Sequence, residues 1–141
     1  MITKIYQLLA QKLDARLRCL EKGNTEWFAH HEVAILDIMR DTAPSGSGID
    51  NGTSIDLDRS TGDRLVFELD YHHMNQDGYY DGWTAHTLTV KPSLMFGIDL
   101  RITGRDRNDI KDYLYDVYRD WLTTEVEDTI DGVKIVKAVT P

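Results

Sequence analysis

Three arginines crowd one short stretch of this chain: Arg101, Arg105 and Arg107, inside the run from Gly97 to Asn108. That run reads as strand, tight turn and helix start. Arg101 projects from the strand face opposite Ile98, Leu100 and Ile102. Arg105, Arg107 and Asn108 flank a helix N-terminus, whose free N–H groups favour anions. The planar guanidinium fork suits phosphate or carboxylate, so one reading is a phosphorylated, nucleotide-like ligand. The competing reading pairs the arginines with Asp99, Asp106 or Asp109 and ties the turn. Ser45, Gly46, Ser47 and Gly48 can line up backbone N–H groups as an anion nest. They lack the Gly-Lys-Ser/Thr end of a P-loop, however, and the same residues make an ordinary turn-rich connection. Tyr79, Tyr80 and Trp83 surround Gly78 and Gly82 at a hairpin tip. There they either stack on a base and fill a partner's pocket, or fold back onto the helices as a satellite core.

Other constellations point to weaker chemistry. His30, His31 and Glu32 are consecutive and splay around a helix, and no His-Glu-x-x-His spacing occurs. His72 and His86 face each other if the hairpin loop centres on Tyr79, and are separated if it centres on Asp77 and Gly78. A zinc site there, and with it the alternative of a metal-dependent hydrolase using His72 and His86, would need a further convergent ligand such as Asp70 or Glu68. Cys19 has no positional link to a histidine, and Ser45, Ser47 and Thr53 lack a nucleophile-elbow pattern, so no mutually supporting acid, base and nucleophile set points to an enzyme. No cofactor is implied. Asp109, Asp112, Asp116 and Asp120 step by three and four, which aligns them on one helix face. Such a row is either a solvated face or an imitation of a phosphate backbone that fits a cationic groove.

These side chains need a frame. Ile2, Ile5, Leu9, Leu13, Leu17 and Leu20 predict an amphipathic helix over residues 2–21, ended by Gly23. Asn24 caps a second helix with the stripe Trp27, His31, Ala34, Ile35 and Ile38. Residues 42–53 are a loop. Leu65, Phe67, Leu69, Tyr71 and His73 alternate with polar neighbours and predict a strand; Trp83 to Val90 return, and Ile98, Leu100 and Ile102 make another. A short edge strand lies near Ile55 and Leu57. Asp106 or Asn108 caps the last main helix, with the stripe Ile110, Leu114, Val117, Tyr118, Trp121 and Leu122. Residues 126–141 hold a short strand or a mobile tail. The order predicts one α+β domain over 1–141: a helix pair, an antiparallel sheet of about four strands, and a C-terminal helix packed on it.

The chain has 141 residues, with 16 basic and 24 acidic side chains and a formal charge of −8. That balance argues against direct binding to nucleic acid or to anionic lipid, both of which need a dense cationic patch. No apolar run approaches a membrane span, no secretory signal is visible, and the lone Cys19 fits a reducing cytoplasm. The first 22 residues are locally basic, whereas acids dominate residues 106–131.

Several segments together resemble a family of small accessory proteins encoded by tailed bacteriophages and prophages. They are residues 24–27, 44–53, 72–75, 78–86 and 96–111, so the resemblance spans roughly residues 24–122. It implies an anti-defence setting in the host cytoplasm: sequestration of a nucleotide signal, or inhibition of a host defence complex in the manner of an anti-CRISPR protein. In the first case Arg101, Arg105, Arg107 and the 45–48 loop hold phosphate and an aromatic stacks on the base, in a pocket completed between subunits of a homo-oligomer. In the second, the acidic helix and the aromatic hairpin meet a basic partner.

Overall fold

The computed structural model describes residues 2–44, 51–129 and 132–137. The chain opens with a three-residue strand, β1 (Ile2–Lys4), and turns at once into α1 (Ile5–Glu21). The helix expected from Ile2 therefore starts one turn later. Residues 2–4 have a strand partner elsewhere, and the Ile5 amide donates to the Thr124 carbonyl at 3.2 Å. Ile5, Leu8, Leu9 and Leu13 are fully buried, while Leu20 near the helix end is exposed. Gly23, with φ of 70°, ends α1 in the left-handed region, and the Asn24 side chain accepts from the Trp27 amide at 3.2 Å to start α2 (Thr25–Thr42). The helix pair is pinned where the largely buried Arg16 lies over the Phe28 ring and 3.8 Å from Glu32. Ile35, Ile38 and Met39 form the inward stripe of α2. Trp27 is half exposed, its ring set against His30 and His31. The apolar stripe thus covers only the C-terminal part of that helix.

Four antiparallel strands follow: β2 (Asn51–Ile55), β3 (Leu65–Met74), β4 (Tyr80–Ser93) and β5 (Gly97–Thr103), paired in chain order. Leu65, Phe67 and Leu69 share the inner face with Val90, Leu88 and His86, and then with Leu100 and Ile102. The helices pack against this face. Glu68, His72, Thr87, Thr89 and Arg101 point to the other face, against which no helix of the described residues packs. Next comes α3 (Asn108–Leu122), which buries Leu114, Tyr118, Trp121 and Leu122. Trp121 meets Phe67 edge-on at 5.3 Å, and its indole N–H donates to the Thr42 hydroxyl at 3.1 Å, joining α3 to both sheet and α2. The α+β arrangement expected from the sequence is the one observed.

A second sheet was not foreseen. Strand β6 (Glu125–Thr129) lies between β1 and β7 (Gly132–Lys137), all antiparallel. Val126 is fully buried in the main core, so this small sheet is anchored to the same interior.

Candidate functional site

His86 occupies an inner-face position of β4, opposite Leu69, and is 1% exposed. Gly104, just past β5, lets the ring sit there: a Cβ on Gly104 would fall 2.2 Å from His86 Cδ2. The turn after Gly104 then carries Asp106 over the imidazole. One carboxylate oxygen, Oδ2, is 3.0 Å from His86 Nε2; the other, Oδ1, accepts from the Thr84 hydroxyl at 3.2 Å and lies 3.6 Å from His73 Nε2. His73 and Thr84 are themselves 2.5 Å apart. The His86–Asp106 contact is not directed along a ring N–H, and His86 Nδ1 has no hydrogen-bond partner. A buried carboxylate flanked by two imidazoles and a hydroxyl joins β3, β4 and the start of α3 at one end of the sheet.

That geometry corrects one expectation and decides between two alternatives. Asp106 does not cap α3: the N-cap residue is Arg107, without a side-chain cap, because the Asp106 carboxylate is turned inward. His72 and His86 do not face each other. The strands pair Leu69 with His86 and His72 with Trp83, which centres the hairpin on Asp77 and Gly78 and puts the two histidines on opposite faces. His73 is the histidine that approaches His86, through Asp106. Among the described residues, no group of three or more His, Cys, Asp or Glu side chains is arranged to hold a metal.

Beyond this tie the hairpin runs on to an aromatic tip. The Asn75 side chain accepts from the Asp77 and Tyr79 amides at 3.0 Å each, and Gly78, with φ of 82°, completes the turn. Tyr79 is 73% exposed, and Tyr80 and Trp83 are each 58% exposed. They do not fold back onto the helix pair; Tyr80 lies 5.7 Å from the His72 ring on the hairpin itself. The base of the hairpin meets α3 where Tyr71 and Tyr113 approach edge-on at 6.1 Å. Burial raises the Tyr71 pKa, and Tyr113 and the nearby charges of Asp106 and Asp109 raise it further. The acidic row therefore begins beside the hairpin. Asp109, Asp112, Asp116 and Asp120 are all exposed along α3.

The arginines do not share one pocket. Arg101 lines a groove of about 310 Å³ on the open sheet face with Thr89, Lys91, Asp99 and Thr103; neither Arg105 nor Arg107 lines it. Arg107 pairs with Asp109 at 3.3 Å on the surface, as the structural reading of the turn expected, and Arg105 and Asn108 are exposed nearby. Ser45, Gly46, Ser47 and Gly48 lie outside the described residues. Sequence reasoning missed the roles of His73, Thr84 and Asp106. The hairpin centre supplied the one available signal, since it puts residues 73, 84 and 86 on a single face. No protein-family model, curated protein or solved structure matches this chain, so the functional reading rests on the geometry of these surfaces.

Proposed function

We propose that this protein is a binding module that engages a basic protein surface through its aromatic hairpin tip and the adjoining acidic face of α3. The observation that carries this reading is the exposure of Tyr79, Tyr80 and Trp83 on a tip whose base is tied to α3 through Asp106. Large aromatics held rigidly in solvent lose little freedom on binding and supply most of the energy of a typical interface. The aspartate row and the charge of −8 add long-range attraction to a cationic partner and repel acidic ones. The resemblance to phage accessory proteins adds the proposal that the partner belongs to a host defence complex. A test compares capture from bacterial host lysate by wild type, by Tyr80→Ala/Trp83→Ala and by Asp112→Lys/Asp116→Lys. A basic protein retained by wild type and lost by both variants supports the reading; equal retention by all three overturns it.

A second reading keeps a small phosphorylated ligand, on the strength of the open-face groove. There Arg101 and Lys91 supply positive charge and Thr89 and Thr103 supply hydroxyls. Calorimetric titration with nucleoside diphosphates checks it. Binding abolished by Arg101→Ala, and unaffected by Tyr80→Ala/Trp83→Ala, separates this reading from the first.

A further inference from the structure

At the end of the sheet opposite the aromatic tip, the β4–β5 hairpin closes on Leu94, Met95 and Phe96. These residues are 108%, 83% and 72% exposed. No charged side chain stands between Pro92 and Ile98. These three consecutive residues expose apolar surface on the order of 500 Å², toward the upper end of the largest patch on a typical monomer, and patches of that size are often functional. Directly beside this knob is a cleft of about 160 Å³. Its walls are apolar at Tyr6, Pro92, Phe96, Ile98 and Leu122 and polar at Lys4, Gln7 and Thr123. A cavity of that size accommodates one leucine or methionine side chain.

We infer that this end of the molecule is a self-association surface, in which two copies related by a two-fold axis each insert one side chain of the Leu94–Met95 knob into the cleft of the other. The occupant is argued from three features. Knob and cleft border each other, Phe96 belonging to both, so a single axis beside Phe96 satisfies both copies at once; this is the reciprocity an isologous interface requires. The knob is uncharged, so its insertion brings no charge into the cleft, whose one charged wall residue, Lys4, is exposed. Two knobs together bury on the order of 1,000 Å², the lower limit for a specific interface. The net charge of −8 opposes association at long range, so added salt should strengthen it by screening. The surface lies away from the aromatic tip, and a dimer formed here presents two such tips.

Sedimentation equilibrium of the whole chain, from low micromolar to submillimolar concentration and at low and high salt, tests the inference. A reversible dimer that tightens with salt is expected. Leu94→Asp/Met95→Asp should weaken it at least about tenfold, as loss of a central apolar anchor does. Gln7→Trp, which fills the cleft from the other side, should do the same. Circular dichroism checks that each variant keeps its fold. A photo-crosslinking residue at position 95 should label the Tyr6 or Leu122 peptide of an isotopically distinct copy. A monomer throughout the range, or a dimer indifferent to both variants, overturns the inference. So does a monomer whose knob binds vesicles of neutral phosphatidylcholine, which would assign it to a lipid surface.

Discussion

Asp106 shows how one side chain can hold a surface in place. Its carboxylate is the common partner of His86, Thr84 and His73, three residues on two adjacent strands. Asp106→Ala should remove the acceptor of the Thr84 hydroxyl and the carboxylate beside both imidazoles, and cost about 1–2 kcal/mol of stability, measured by urea unfolding. Asp106→Asn keeps an acceptor for Thr84 and should cost less. A second residue-scale prediction concerns Tyr118, whose buried hydroxyl is partnered by Thr53. Burial raises its pKa to about 12, although that hydrogen bond pulls the other way. The unfolded chain releases this proton near pH 10, so between pH 10 and about 12 the folded state holds more protons and stability falls as pH rises. Its full contribution is present below pH 10, and about 2–3 kcal/mol is lost once pH passes about 12. Tyr118→Phe should flatten that alkaline decline in a series of denaturant melts. These roles were only half legible: the alternation of residues 65–73 placed His73 and Tyr71 on the core face, but nothing in the local sequence tied Asp106 to a histidine twenty residues earlier.

At the scale of elements, the helix pair is the part that local chemistry specifies best. Gly23 at positive φ and Asn24 as an N-cap sit where their residue types demand. Asn24→Ala should therefore cost about 1 kcal/mol, and Gly23→Ala about as much from left-handed strain, both read from the urea midpoint. The strands of the main sheet follow period two, which is why their buried faces were readable before their neighbours were known. Strand β1 was not readable. Three residues cannot display a period of two, and Ile2 also fits the helical stripe of Ile5 and Leu9. Trp27 fits the stripe of α2 equally well. Whether it is covered depends on how far the facing layer extends, a property of the assembled fold.

Among the described residues there is one core cluster, a main sheet with helices on one face, and a small sheet closing beside α1. Val126 of the small sheet lies in the same cluster as Leu114, Tyr118 and Leu122. Both sheets should therefore unfold together. Val126→Ala should lower stability by about 1–2 kcal/mol without splitting the transition, so that far-UV circular dichroism and fluorescence of the buried Trp121 remain coincident. Uncovered apolar and aromatic side chains lie at the two ends of the sheet and also along α2, at Trp27, Val33 and Leu36. In the readings proposed above, one end of the sheet meets a partner and the other a second copy of the chain.

The sequence by itself determined the α+β class, the helix pair and its caps, the faces of the main strands and the acidic stripe of α3. Each of these follows from contacts within a turn or two of chain, or from strict periodicity. Tertiary structure alone decided the hairpin register, the meeting of Asp106 with His86, the dispersal of the arginines and the exposure of the aromatic tip. A one-residue change in register reverses every side chain of a strand, and exposure depends on neighbours supplied by distant parts of the chain.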